Sequence, residues 1–459
     1  MNKRLRNILL VVIMATGLVG AGWLAAPRLI DWLPGRIKQR IPHELLALVE
    51  TPLPTALPAP EVTTAPIHIT IPALPTTTVT ATAVATPQPT NEPTHTPTPT
   101  ITPTPSATPL PASVIIEDVH NVPQKFNNCG PANLSLTLAF YGQKVNQLDI
   151  AALLKPNEDD RNVSPEELVS YVNNETPLRA QVYRGGSLDL LKQLIAAGFP
   201  VIVEKGLLPS EWEGWMGHYL TVYGYDDAAQ EFISMDTYLG PWDGSLHTDS
   251  YEETAEYWRH FNYTFVLVYP VEREPAVHTL LTAQYTDPFL MWQHAAQTAQ
   301  TETDARPDDA FAWFNLGASL TQLGQLTDQT EFYANAAAAF DHARTIGLPR
   351  RMLWYQFQPY VAYLAVGRHE DVLTLATATE VSEGGRNVEE TFLYVGQAYL
   401  AAGNINQASR LPSSHRIEPQ LHCRPPGPGR NRITAWLLEA HSALPLTYLR
   451  MGTWVTYGH

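Results

Sequence analysis

Cysteine is scarce in this chain, which has Cys129 and Cys423 as its two cysteines among 459 residues. Two cysteines cannot build a disulfide framework, so an exported form would depend on the burial of apolar side chains for its stability. Positive charge is also in deficit, because 29 Lys and Arg face 45 Asp and Glu, for a net charge of −16. So acidic a chain does not hold an anionic polymer by electrostatic attraction. We therefore expect no nucleic-acid partner.

Charge is absent from a long apolar run near the N-terminus. The basic segment MNKRLRN precedes a stretch without a charged residue from Ile8 to Ala26. At 1.5 Å per residue, this stretch just spans a hydrocarbon core of about 30 Å. We predict a transmembrane helix within residues 1–30 that remains as a membrane anchor. A cleaved signal segment is the alternative, since small residues occur near the end of the run.

Proline is concentrated in the segment that follows. Stretches such as ATPQPTNEPTHTPTPTITPTPSATPLP contain little besides Thr, Pro and Ala. Proline fixes φ and lacks an N–H donor, so it opposes both helices and strand ladders. We predict residues 31–112 as a juxtamembrane segment and disordered stalk. Such tracts resemble stalks that lift bacterial surface domains off a membrane, which predicts an extracytoplasmic globular part at the cell surface. A cytoplasmic linker is the alternative.

Residues 113–270 have the pattern of a mixed domain. Apolar residues at helical spacing and capping signals predict three helices, in GPANLSLTLAFYG, SPEELVSYV and SLDLLKQLIAAG. Runs rich in Val, Ile, Tyr and Phe predict four strands, in PVIVE, GHYLTVYGY, EFISMD and YTFVLVY. Because a helix precedes a run of strands that look antiparallel, we predict an α+β domain.

The remaining chain reads as a linker and then as helical repeats. We predict residues 271–306 as the linker. Within residues 307–410, similar apolar and glycine positions recur in AWFNLGASLTQLG, LWYQFQPYVAYLAVG and TFLYVGQAYLAAG. This pattern looks like degenerate tetratricopeptide repeats, an all-α domain that would bind a protein partner or present a substrate. An irregular helical bundle is the alternative.

Residues 411–459 break the repeat pattern. The stretch RIEPQLHCRPPGPGRN is rich in Pro, Arg, His and Cys where a second helix should finish. Codons can be chosen so that reading one base later gives ALNPNYTAALQALAEI, which fits the end of one repeat and the start of the next. We interpret this aberrant segment, including Cys423, as a frameshift product. The nucleotide sequence of the gene tests this interpretation.

Cys129 is placed where a thiol becomes reactive. It begins the apolar helix of GPANLSLTLAFYG and follows the polar stretch QKFNN. The amide groups and dipole at a helix N-terminus favour an anion, which lowers the pKa of a thiol toward the thiolate form. A lone cysteine is more often a small buried apolar residue, so the functional reading depends on a base elsewhere in the domain.

His218 and Asp236 are the candidates for that base and its partner. His218 lies at the start of one predicted strand and Asp236 at the end of the next. A turn centred near Ala228 would place residue 238 opposite His218 and Asp236 diagonally beside it on the same face. A carboxylate there would hold one tautomer of the imidazole and support its charged form, as a cysteine nucleophile requires.

These motifs together resemble a known family. The stretch NNCGPANLSLTLAFYG, followed by GHYLTVYGYDD and SMD, resembles the papain-like peptidases that process bacteriocin leaders at double-glycine sites. The resemblance covers residues 114–269. It implies Cys129 as nucleophile, His218 as general base and acid, and Asp236 as the orienting residue. It also implies Gln124 as an oxyanion donor, although Gln124 precedes Cys129 by five residues where the family's spacing is six.

We therefore predict a membrane-tethered cysteine peptidase that acts on a peptide or protein, with no cofactor and no metal. A papain-like domain that has lost activity and binds peptides or serves as a scaffold is the alternative. A metal site at Cys129 and His218 is disfavoured, because no closely spaced pair of His or Cys accompanies them.

Overall fold

The computed structural model describes residues 55–61 and 109–408, apart from 121, 212, 244 and 383. The predicted membrane span, most of the predicted stalk and residues 411–459 lie outside this part of the chain. No helix within the described ranges combines the length and hydropathy that crossing a bilayer requires.

A seven-stranded antiparallel sheet organises the first half of the described chain, with the spatial order β2-β7-β3-β4-β5-β6 and with β1 beside β4. The strands are β1 Ser113–Ile115, β2 Leu178–Tyr183, β3 Val201–Leu207, β4 Met216–Asp226, β5 Glu231–Met235, β6 His247–Ser250 and β7 Phe265–Pro270. The four strands predicted from sequence correspond to β3, β4, β5 and β7. Strands β1 and β6 have three and four residues, too few for a periodic signal.

Three helices cover one face of the sheet: α1 Cys129–Phe140, α2 Gln147–Leu154 and α3 Pro165–Glu175. The predicted capping box of α3 is present, since Ser164 Oγ accepts from the Glu167 amide and Glu167 Oε2 accepts from the Ser164 amide. Ile202, Val266 and Val268 point from the sheet into the core beneath these helices. Their alternation with neighbours that face the other way follows from the two-residue period of a strand.

The opposite face of the sheet shares one core with the helical half of the chain. Val201, Val203 and Leu267 point into a cluster that also contains Phe314 and Phe340 of the helical region. Helix α4 Leu188–Ala196, which Ser187 caps, packs on this side, and α5 Tyr251–Trp258 precedes β7. The two halves are therefore joined by continuous apolar packing.

The helical half consists of α6 Glu274–Thr286, α7 Pro288–Ala305, α8 Ala310–Thr327, α9 Thr330–Ile346, α10 Gln358–Ala365, α11 His369–Glu380, α12 Glu389–Ala401 and α13 Ile405–Ala408. Residues 271–306, which we predicted as a linker, are thus largely helical, with a kink in α6 at Thr282, where φ is 56° and ψ is −179°. Val277, Leu281 and Tyr285 form an apolar stripe on α6 that is buried in the shared core. Because this apolar stripe contacts the sheet domain, the segment packs as part of the body.

The later helices form antiparallel pairs that are compatible with tetratricopeptide-like repeats. In the α8–α9 pair, Gly317 allows close approach, because a Cβ there would lie 2.7 Å from the Phe340 ring. The second repeat begins later than its sequence pattern predicts. Trp354 lies in a 3-10 turn, Arg350–Trp354, and α10 starts at Gln358, ahead of Pro359. Proline lacks an N–H donor, so it is tolerated in the first turn of a helix and disfavoured in its interior, which explains a start next to Pro359.

One piece of the predicted stalk is ordered against the helical half. Residues Thr55–Glu61, which we call the strap, run in extended conformation beside the end of α9. Ala56 forms an antiparallel bridge with Pro349, and the Leu57 amide donates to the Leu348 carbonyl at 2.8 Å. The Leu57 side chain is buried in the shared core. The expectation of disorder was therefore wrong for these seven residues, because burial of the Leu57 side chain holds them against the helical half.

Candidate active site

Cys129 is the first residue of α1, and Asn128 precedes it as the N-cap. The first N–H groups of a helix have no partner within the helix, so the amides around Cys129 are available to an anion. Cys129 is partly exposed, whereas most of the rest of α1 is buried under the sheet. Cys129 is thus fixed to a rigid element at a partly exposed position.

His218 and Asp236 lie side by side next to this thiol. His218 Nε2 is 3.2 Å from Asp236 Oδ1, and both side chains are almost fully buried. Thr221 pairs with Met235 in the β4–β5 ladder, and continuing that register places residue 238 opposite His218. A bulge between Val222 and Gly224 shifts the register near the turn. The diagonal relation of His218 and Asp236 that the sequence suggested is therefore present.

The three side chains form an electrostatic chain. Burial raises the pKa of the Cys129 thiol, but a hydrogen bond with His218 and its positive charge outweigh this effect, so the pKa lies below 9.0. Burial lowers the pKa of His218, yet the charge and hydrogen bond of Asp236, together with Cys129, raise it to about 9. Despite burial, His218 and two backbone amides hold the pKa of Asp236 well below its usual range. The arrangement favours a thiolate beside an imidazolium.

Asp236 is held by the loop that follows β5. Its Oδ1 accepts hydrogen bonds from the amides of Tyr238 and Leu239, both at 2.7 Å. Such an Asx turn needs a short side chain with an acceptor at this position. The same oxygen faces His218, so the loop fixes the carboxylate in the orientation that the imidazole contacts.

Asn133 connects all the elements of the site, and the sequence reasoning did not identify it. It lies one helical turn after Cys129 and is fully buried. Its Nδ2 donates to the carbonyls of Cys129 at 2.9 Å and Tyr219 at 2.7 Å, and its Oδ1 accepts from the Thr221 hydroxyl at 2.9 Å. A polar residue in the middle of an otherwise apolar helix was the signal that could have revealed it.

Gln124 lies beside the loop that carries Asp236. Its amide donates to the Thr237 carbonyl at 2.8 Å, and its side-chain Oε1 accepts from the Thr237 hydroxyl at 2.9 Å. Since the oxygen of the carboxamide is engaged, its nitrogen is the end left for a ligand. The Thr237 hydroxyl also accepts from Asn133 Nδ2 at 3.2 Å, which connects Gln124 to α1.

Comparison with known proteins points to the same segment. Residues 116–266 match the model of the Peptidase_C39 like family. A search of curated proteins finds no match to the chain.

Similar solved structures include a C39-like peptidase from Bacillus anthracis, with 16% identity and a TM-score of 0.29 over 34% of this chain and 96% of that one. A double glycine motif protease from an AMS/PCAT transporter, solved in complex with the leader peptide, has 17% identity and a TM-score of 0.26. The match covers 34% of this chain and 95% of that one. The peptidase domain of Streptococcus ComA, a bifunctional ABC transporter involved in quorum sensing, has 19% identity and a TM-score of 0.27. The match covers 33% of this chain and 98% of that one.

We predict that Cys129 is alkylated at lower pH than an ordinary thiol, because its pKa is lowered. In the full chain, the rate with iodoacetamide, followed by mass spectrometry of the Cys129 peptide, should titrate below 9.0, with a second change near 9 where His218 loses its proton. His218→Ala should raise the first midpoint by about one pH unit or more, because the thiol loses the hydrogen bond and the positive charge of His218 that offset its burial.

His294→Ala is the matched control for this titration, because His294 lies on α7 and bonds to the Gly185 carbonyl. It should leave both midpoints unchanged. A wild-type midpoint at or above 9.0, or one that His218→Ala does not move, would contradict the thiolate–imidazolium pair.

Proposed function

We propose that this chain, whose residues 116–266 match the Peptidase_C39 like family, is a cysteine peptidase that hydrolyses peptide bonds through Cys129, His218 and Asp236. One observation carries the proposal. The thiol, imidazole and carboxylate make consecutive contacts at the free N-terminus of a buried helix. A structural cysteine requires neither a charged histidine nor a carboxylate behind it.

Acylation follows from this geometry. The Cys129 thiolate attacks the carbonyl carbon of the scissile peptide bond, and the carbonyl oxygen becomes an oxyanion. The backbone amide of Cys129 and Nε2 of Gln124 are the donors proposed to stabilise that oxyanion. His218 then gives its proton to the leaving nitrogen, the C–N bond breaks, and the acyl group remains on Cys129 as a thioester.

Deacylation uses the same groups in reverse. His218, now neutral, accepts a proton from water as the water oxygen attacks the thioester carbon. The C–S bond breaks, the acid product leaves, and the thiolate–imidazolium pair is restored. Asp236 stays ionised throughout and holds the tautomer in which the other ring nitrogen faces Cys129. No cofactor or metal is needed for these steps.

We also propose that the peptidase works at a membrane surface on the extracytoplasmic side. The apolar run from Ile8 to Ala26 and the Thr/Pro-rich segment after it support this placement. The helical repeats would hold a protein partner or the substrate. If this is correct, the full chain partitions with membranes and added protease reaches the body on intact cells. A chain recovered in the soluble cytoplasmic fraction would contradict it.

The experiment that tests the activity uses the full chain and a pool of short peptides analysed by mass spectrometry. We expect cleavage by the wild-type chain and none by Cys129→Ala. Asp236→Asn should slow turnover by about 10²–10⁴-fold, because the imidazole loses the charge that orients it and supports its positive form.

His294→Ala should cleave at the wild-type rate and exclude nonspecific effects of histidine loss. Peptides that bind without being cleaved, with equal binding by Cys129→Ala, would favour the binding-module alternative. Cleavage that survives Cys129→Ala would show that the activity belongs to a contaminant.

A further inference from the structure

We propose that the helical half completes the active-site cleft, with Tyr355 as a wall that admits an extended, slender segment and rejects bulky ones. Tyr355 follows the 3-10 turn Arg350–Trp354, outside the segment that matches the peptidase family. Its ring packs against Gly217, the residue directly before His218. A Cβ at Gly217 would lie 3.1 Å from two ring carbons of Tyr355. A side chain from the repeats thus stands at the catalytic strand.

The wall is fixed on the histidine side of the site. Arg351 Nη1 donates to the carbonyl of Glu213 at 2.6 Å and to that of Trp215 at 3.3 Å, in the loop that leads into β4. Trp215 meets the Tyr355 ring edge to face, with centroids 6.1 Å apart. A guanidinium bridging two carbonyls and an aromatic contact hold the turn against this loop.

The same region of the repeats reaches the cysteine side. Arg161 donates from Nη1 to Asn127 Oδ1 at 3.1 Å, two residues before Cys129. On its other side Arg161 packs against Gly384 of the helical half, where Trp354 also packs. Asn157 Nδ2 donates to Asn387 Oδ1 at 3.3 Å. The helical half therefore contacts the loop between α2 and α3, which bonds to Asn127, as well as the loop that leads into β4.

Contacts on both sides restrict what can approach Cys129. On this proposal, Tyr355 blocks the approach of a folded surface to the thiol, whereas an extended chain passes between the loop after α2 and the loop that leads into β4. The preference for extended substrates rests on the proposed function, whereas the restricted access of bulky reagents to Cys129 does not. If it is correct, the repeats act as a specificity element of the catalytic site in addition to any partner they bind.

The test compares alkylation of Cys129 in the full chain by iodoacetamide and by a fluorescein-linked iodoacetamide. In Tyr355→Ala the rate with the bulky reagent should rise by about tenfold or more, which corresponds to about 1.4 kcal/mol of steric cost in the transition state. The rate with iodoacetamide itself should stay within about twofold, because the thiolate pair is unchanged.

Two control variants keep the result interpretable. Tyr355→Phe retains the ring and should behave as wild type, and Tyr399→Ala removes a ring on α12 and should change neither rate. Arg351→Met, which frees the turn without removing the ring, should raise the bulky-reagent rate in the same direction. An unchanged ratio of the two rates in Tyr355→Ala would overturn the wall, whatever the outcome of the peptidase assay.

A different observation carries a second inference. We infer that the surface under the strap is a binding site for an extended peptide in which an apolar residue precedes proline, occupied here by the chain's own stalk. Beyond the bond from Leu57, the Arg350 amide donates to the Thr55 carbonyl at 3.1 Å and Arg344 Nε donates to the Pro58 carbonyl at 2.9 Å. Backbone pairing supplies affinity, and the Leu57 pocket supplies selectivity.

Competition in trans tests this site. A labelled peptide copying residues 51–64 should bind the full chain carrying Leu57→Asp, whose strap cannot enter the pocket. The wild-type chain should not bind it at the same concentration, because a tethered segment has an effective concentration of about millimolar. Ala59→Asp places the same charge at an exposed strap position and should behave as wild type. No binding to the Leu57→Asp chain would overturn the inference.

Discussion

The carboxamide of Asn133 is the interaction on which the candidate site depends. It is buried between the helix that carries Cys129 and the strand that carries His218, and it bonds to the backbone of both. The Thr221 hydroxyl donates to the carboxamide oxygen of Asn133. The carboxamide nitrogen also donates to the Thr237 hydroxyl, in the loop after β5 that begins at Asp236. A buried amide without these partners would destabilise the core by about 1–3 kcal/mol. One side chain that takes no part in the proposed chemistry thus holds the helix of Cys129, the strand of His218 and the loop after Asp236 together.

Burial gives this spacing its electrostatic effect. In a low-dielectric surrounding, Asp236 supports the charge on His218, and His218 supports the thiolate of Cys129, far more strongly than water would allow. The rigid sheet beneath the three residues is in turn held by apolar packing on both faces. On one face the packing partners are α1–α3, and on the other they include the helical half of the chain. Because that core is continuous, the helical half and the strand of His218 are held in one body, which places Tyr355 beside Gly217.

Local chemistry made part of this structure readable from the sequence. The capping box at Ser164, the apolar face of α1 and the β-rich runs of β3, β4, β5 and β7 each concern neighbouring residues, whose preferences do not depend on distant contacts. The pairing of His218 with Asp236 could also be predicted from the sequence, because a short hairpin fixes the register of its two strands across the turn. The bulge near Val222 compensates for a turn centred slightly later than Ala228. The ladder therefore arrives at His218 with the register that simple reflection predicts.

The sequence by itself determined the two-part character of the described chain, the helix that presents Cys129 and the strands that bring His218 and Asp236 together. Only the tertiary structure decided that residues 271–306, predicted as a linker, are helices packed on the shared core, that Leu57 of the strap is buried in that core, and that Tyr355 lies beside Gly217, more than a hundred positions away in the chain. Helical propensity and strand pattern are local properties, whereas these placements follow from which apolar surfaces remain to be covered once the sheet has formed.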